Sequence, residues 1–385
     1  MKPNFSYNYK SILAIPGKAL KAKKIYVASL ALLIALAVFD LAFYLAAILD
    51  GHDPAWLFMN EGFFPLGWHQ FSGFMAAFVF YIGLAISVIA ICIGMSAVAL
   101  MDFEEIRGNI FLTPRQALRG AIVKARPMLL SWLAIAIFII FIILLGVIIG
   151  MIARIPHIGE WLYSLFFFFP NFIVAIFTVL IILVFVLSLL VMPAALAADR
   201  KNETFTAILE TFLTITRQPV RWFGYTLYSI ITAKLAGFIY ICFAYLAVIL
   251  IQFAARLGGG EKIDEILSSG ANLLPLKSKL ATFTASITMP GYGISLDISQ
   301  ISRGFGYDNS AAWLMALSLF LIFLTAWGYI LSIIATGQAY AYAVIKKWRD
   351  DYLISDEKSV FAENKFDALP VNGKELSKEK PDNNK

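Results

Sequence analysis

Lys234, in SIITAKLAGFIY (229–240), and Asp40, in VFDLAFY (38–44), each stand inside a long apolar stretch, and Asp40 is the one acid so placed. An ionisable group in hydrocarbon is costly and is usually retained for a partner, a proton or an ion. Lys234 lies fifteen residues past Pro219, and Asp40 sixteen past Lys24, the position that aligns with that proline. At about 1.5 Å per helical residue the two reach nearly the same depth. Equal depth suggests an intramembrane ion pair between Asp40 and Lys234. The pair either staples two helices or forms the polar path of a transporter.

The three histidines, His52, His69 and His157, fall near Asp50, Asp53, Glu61 and Glu160. Imidazole and carboxylate together can bind zinc. Their spacing matches no metal motif, so no metal site is assigned. Cys92 and Cys242 lie within apolar segments, where neither a structural disulfide nor a thiolate site is expected. The chain has no phosphate-binding glycine loop, no GxSxG, no HExxH and no CxxC. No catalytic residue and no cofactor site is assigned, and the sequence reads as that of a non-enzyme.

The elements that must position these residues are membrane spans. Hydrophobic residues make up 60% of the 385 positions and charged ones only 15%, outside the range of soluble domains. Six segments, 25–49, 70–101, 127–153, 161–198, 222–255 and 310–345, exceed the ~20 apolar residues that cross a bilayer. Several are longer than one straight crossing needs, which implies tilt or projection beyond the membrane. The fold class is therefore an all-α membrane protein: a six-helix transmembrane domain over 1–346, with an outer loop at 256–309 and a tail at 347–385.

Lysine and arginine fix the expected orientation. Lys2, Lys10, Lys18, Lys21, Lys23 and Lys24 precede the first span; Arg107, Arg115, Arg119, Lys124 and Arg126 lie between the second and third. Arg200, Lys201, Arg217 and Arg221 lie between the fourth and fifth, while loop 50–69 has no cation. The bias places both termini in the cytoplasm, with the chain in a bacterial inner membrane. The net charge of +6 follows from this bias and from attraction to anionic headgroups; it does not call for nucleic acid.

Two inner loops resemble each other. ALMDFEEIRGNIFLTPRQALRGAIVKARPMLLSW and AALAADRKNETFTAILETFLTITRQPVRWFGY both reach an aspartate (Asp102, Asp199), form a short helix and re-enter at a proline (Pro127, Pro219) before a tryptophan (Trp132, Trp222). Thr113-Pro114-Arg115-Gln116 has the form of a capping box with proline at the first helical position. Phe205, Ile208, Leu209, Phe212 and Ile215 share one helical face. With SILAIPGKALKAKK as a weaker first copy, the sequence reads as three repeats, each a cytoplasmic amphipathic helix followed by a hairpin of two spans. Arg115, Arg119, Lys124 and Arg217 become candidate headgroup contacts.

Further along, Gly146 and Gly150 form a GxxxG that permits close helix approach. Gly258-Gly259-Gly260 forms a hinge before EKIDEILSS, a short helix candidate, and SITMPGYGISLDIS suggests a small hairpin. The polar tail is expected to be disordered.

At MPAALAADRKNETFTAILETFLTITRQPVRWFGYTL (192–227) the chain resembles a loose group of six-helix bacterial integral membrane proteins, including the membrane region attached to some glycerophosphodiester phosphodiesterases. The resemblance implies architecture. The phosphodiesterase domain is absent here, and no family residue roles carry over. Two function classes follow. One is a scaffold or accessory subunit that engages lipids, membrane proteins or a cytoplasmic partner. The other is a transporter or permease-like component with its path at Asp40 and Lys234.

Overall fold

Long runs of leucine, isoleucine, alanine and phenylalanine leave the backbone to satisfy its own N–H and C=O groups, which in hydrocarbon means helix. The computed structural model describes residues 5–54, 57, 71–199, 203–273 and 310–357, and among them the regular structure is helical throughout. Helices α1 (Tyr9–Leu13) and α2 (Ile15–Ala19) lead into α3 (Ala22–Leu49), then α4 (Phe74–Ile106), α5 (Pro114–Ile152) and α6 (Ile158–Ala198). They are followed by α7 (Thr204–Arg217), α8 (Pro219–Gly259), α9 (Glu261–Leu273) and α10 (Ser310–Asp350). Six of them, α3, α4, α5, α6, α8 and α10, are long and apolar enough to cross a membrane.

Helix starts and stops follow local chemistry. Thr113 caps α5 reciprocally: its Oγ1 accepts from Gln116 N at 3.3 Å, and its own N–H donates to Gln116 Oε1 at 3.1 Å, with Pro114 first in the helix. The capping box read from sequence is formed. Residues 113–125 do not make a separate surface helix, however, because α5 runs unbroken for 39 residues with Pro127 inside it. The loop 204–216 does form a separate helix, α7, since the extended Asp199 backbone and Gln218 bound it on either side. The N-terminal copy is two single-turn helices broken at Ala14.

Small residues set the closest packing. A Cβ on Gly94 would collide with the Ala31 methyl, and one on Gly83 with the Ala42 methyl, so α3 and α4 approach closely with alanine packed onto glycine. Helix α10 packs against α3, α4, α8 and α9, and it carries a long buried stretch from Tyr329 to Ile345, interrupted only at Ile334. The α5–α6 hairpin lies to one side on α4. A methyl group added at Gly146 or Gly150 would meet no neighbour within 4 Å, so the GxxxG face is not used among the described residues. Trp161, Leu165, Phe166, Phe168 and Phe169 are exposed, Leu165 and Phe166 on a π-helical turn at Tyr163–Phe167.

At the end of the bundle away from the N-terminal segment, α8 continues to Gly259, and Gly260, with φ +60°, turns the chain into α9. The short helix expected after the glycines is present. The hairpin expected in SITMPGYGISLDIS lies outside the described residues. The tail differs from expectation at its start: α10 extends to Asp350, Asp351 reverses the chain in the left-handed region (φ +52°), and Ile354 is buried. Burial of that one isoleucine and two polar contacts, Arg107 with Glu357 and Tyr7 with Ser355, hold the strap 351–357; residues 358–385 lie outside the described residues.

Candidate functional site

The helices alternate in direction, so residues 5–24, the ends of α4 and α6, helix α7, the start of α8 and the end of α10 gather at one end of the bundle. Cations and acids from all of them meet there. Helix α3 opens with KAKK (21–24), which directs Lys24 inward, while α4 closes with DFEEIR (102–107). Asp102 and Glu105 are one turn apart and share a face. Lys24 Nζ donates to Asp102 Oδ1 at 2.7 Å, to Glu105 Oε2 at 3.1 Å and to the carbonyl of Lys18 at 3.1 Å. An ammonium has three N–H donors, and all three are met. Lys21 adds a 2.7 Å bond to Glu105, and Lys23 lies 3.6 Å from it.

Glu104, on the opposite face of α4, takes Arg107 at 3.1 Å and the Asn109 amide at 3.2 Å. Arg107 reaches the carbonyl of Ala198 at 3.3 Å and donates through Nε to Glu357 at 2.9 Å. It thereby joins α4, α6 and the C-terminal strap. A third node is Glu210 of α7, which accepts from Arg349 Nη2 at 2.6 Å and Tyr342 Oη at 3.0 Å, with Lys346 at 3.7 Å. The two chain ends also meet directly. Tyr7 Oη accepts from Ser355 N at 2.8 Å, and Lys347 lies over the Tyr7 ring.

The broken N-terminal helices need outside partners for their carbonyls. Tyr329 Oη donates to Pro16 O at 3.1 Å and Ser332 Oγ to Ala19 O at 3.0 Å, while Ile12, Ile15 and Ala19 are buried. This segment is inserted into the bundle end, against the expectation of a helix lying on the membrane surface. Beneath it, buried Gln338 accepts from Trp222 Nε1 at 3.3 Å and donates to Thr226 Oγ1 at 3.1 Å.

Two hairpins share a feature. An acid at the end of the second helix attracts a cation from the first, Asp102 with Lys24 and Asp199 with Lys124, whereas in the third Asp350 pairs with its neighbour Arg349. Lys124 also donates to the Asp199 carbonyl.

The residues singled out from sequence fare differently. Arg115, Arg119 and Arg217 are exposed. Lys124 is buried on Asp199, so it is not available to headgroups. Asp40 and Lys234 are not paired among the described residues: Asp40 Oδ1 is buried without a hydrogen-bond partner, α3 packs on α4 and α10, and α8 packs on α10 and α9. Depth alone was matched; α10 stands between the two spans. Sequence reasoning missed Lys24, Glu104, Glu105 and Glu210. The available signal was three carboxylates within four residues at a span end (Asp102, Glu104, Glu105), on the cation-rich side, where each needs a base.

The opposite end of the first hairpin is latched by Asp50. Its Oδ1 accepts from Gly73 N at 2.8 Å and Ser72 Oγ at 2.9 Å, and Oδ2 from Ser72 N at 3.1 Å. These bonds, the one from Gly73 first, hold its carboxyl below the usual carboxylate range.

In comparisons with known proteins, the chain matches no family model, no curated sequence and no solved structure.

Proposed function

We propose that this multi-pass membrane protein is a non-enzymatic scaffold or accessory subunit of a membrane complex. One observation carries the reading: the ionisable side chains withdrawn from solvent at the charged end are bonded to one another and to carbonyls, tying α3, α4, α7, α10 and both chain ends into one plate. Such pairing suits a rigid platform more than a path that must exchange solutes. Arg115 and Arg119 remain exposed one turn apart on α5, free to engage an anionic surface or an acidic partner. The lysine and arginine bias supports a cytoplasmic position for this end and for both termini, in a bacterial inner membrane.

The likeness of the two inner loops, with the corresponding Lys24–Asp102 and Lys124–Asp199 contacts, supports a further part of this reading, that the fold arose from three hairpin repeats. The likeness of 192–227 to six-helix bacterial membrane proteins belongs with it as a proposal of architecture. A second reading, a transporter component, is favoured by the buried, unpartnered Oδ1 of Asp40.

Affinity purification in mild detergent separates the two. For a scaffold, Arg115→Gln with Arg119→Gln lowers recovery of a co-purifying protein while the melting temperature is unchanged, and vesicles show no solute or proton flux. A flux abolished by Asp40→Asn, with co-purification intact, overturns the scaffold reading.

A further inference from the structure

Helix α7 turns the wrong face outward for a helix in water. Ala207, Thr211, Thr214 and Ile215 are buried against the bundle, whereas Phe205 is 75% exposed and Leu209 and Phe212 are 45% exposed. The exposed apolar strip continues past the elbow at Gln218 to Val220 and Phe223 of α8. At the same elbow a shallow, open depression of about 440 Å³ is lined by Gln218, Pro219, Val220, Arg221 and Trp348. The Arg221 guanidinium lies 4.7 Å from the Trp348 ring centre and donates to Gln218 Oε1 at 3.1 Å. No carboxylate pairs with Arg221 among the described residues, so most of its N–H donors are uncommitted.

We propose that this elbow is a binding site for one anionic phospholipid. Bulky apolar side chains on α7 and α8 are stable there only if the leaflet covers them, which sets Arg221, Trp348 and neighbouring Arg217 at headgroup level. Tryptophan and arginine are the side chains suited to that level, one wet at its edge and the other attracted to phosphate. The headgroup phosphate binds Arg221 with the Gln218 amide beside it, and an acyl chain follows Val220 and Phe223. A five-residue pocket is too small for a protein partner, which needs roughly 20–30 residues on each side. The proposal rests on the membrane assignment alone and stands or falls independently of the scaffold reading.

Native mass spectrometry of the full chain in detergent tests it, with added phosphatidylglycerol, phosphatidylcholine or inorganic phosphate. The wild type retains one phosphatidylglycerol in preference to phosphatidylcholine. Arg221→Gln weakens that retention about fivefold, the factor that ~1 kcal/mol per headgroup-facing cation represents, and Trp348→Leu, which removes the ring beside the guanidinium, also lowers it. Lys262→Gln, on α9 at the other end of the bundle, leaves it unchanged. The two elbow variants alter exposed residues, and melting temperatures confirm folding; if one fails to fold, the other decides. Equal retention of phosphatidylcholine, displacement of the lipid by inorganic phosphate, or full retention by a folded elbow variant overturns the proposal.

Discussion

Lys24 holds its ammonium nitrogen 2.7 Å from Oδ1 of Asp102, and both side chains are wholly withdrawn from solvent. The contact joins the start of α3 to the end of α4. It closes the first hairpin, whose two helices also approach closely where the Ala31 methyl packs onto Gly94. Removing one member of a buried pair strands the other, at a cost of about 3–5 kcal/mol, whereas replacing both with apolar groups of similar volume is often close to neutral. Lys24→Met alone therefore lowers stability strongly, and Lys24→Met with Asp102→Leu and Glu105→Gln recovers most of the loss. Denaturation of these variants beside the wild type in detergent measures it; losses that simply add show that the charges are not coupled.

Asp40 and Lys234 give the contrasting result. Because α10 stands between their helices, substitutions at the two positions add, and Asp40→Asn alone is neutral or stabilising, since it removes a carboxylate whose buried oxygen has no donor. A coupling above about 1 kcal/mol in the double-mutant cycle would reveal an interaction that the helix arrangement does not provide.

How far the sequence could be read follows from which physics is local. Hydropathy over ~20 residues defines a span whatever its neighbours do, so all six were legible. The Thr113 cap was legible because its partners lie three residues apart. Azimuth around a span is not local. Depth could be counted for Asp40 and Lys234, but which helix lies between them depends on small-residue contacts such as Gly83 with Ala42. The acids of DFEEIR were visible as sequence, yet Glu105 finds Lys24 at 81 residues' distance, and Arg107 finds Glu357 at 250. The strap 351–357 looked like the polar tail it begins, because one buried isoleucine, Ile354, is too little to register as a pattern.

The latch at Asp50 predicts a pH dependence. Its folded carboxyl is held below the ordinary value, chiefly by the Gly73 N–H and the Ser72 bonds. A carboxyl depressed on folding adds stability above its unfolded pKa of about 3.9, and loses it as pH falls through the lower folded value. The wild type therefore loses part of its melting temperature below about pH 4. Asp50→Ala melts lower at neutral pH and shows a flatter acid limb. Parallel acid limbs in the two proteins remove Asp50 as a contributor.

The C-terminal strap makes a truncation prediction. A chain ending at Glu357 keeps the Arg107–Glu357 contacts, the Tyr7–Ser355 bond and buried Ile354; one ending at Asp350 loses all three. Burying an isoleucine side chain contributes about 1.5–3 kcal/mol, and loss of Glu357 leaves the Arg107 guanidinium, only 1% exposed, short of a partner. The shorter chain thus melts several degrees below the longer one in the same detergent. Within the longer chain, Ile354→Ala reproduces part of the loss. Equal melting temperatures for the two truncations show that the strap contributes no stability.

Orientation is the remaining prediction, and it governs every statement about which side carries the ionic plate. Arginine and lysine crowd the end that holds Arg115, Arg119, Arg217 and Arg221, while the far end carries α9, in which Asp264 takes Arg256 at 3.2 Å and Gln252 at 2.8 Å. Basic residues near span ends are retained on the cytoplasmic face, which predicts a cytoplasmic plate and an external α9. Lys262 and Arg119 are both exposed on helices, which makes them equivalent reporters from opposite ends. In a background with Cys92 and Cys242 replaced by alanine, Lys262→Cys reacts with an impermeant maleimide in intact cells. Arg119→Cys reacts only after the cells are opened. The reverse pattern places the plate, both termini and the proposed phospholipid elbow on the outer leaflet, and the scaffold would then have to find its partners there.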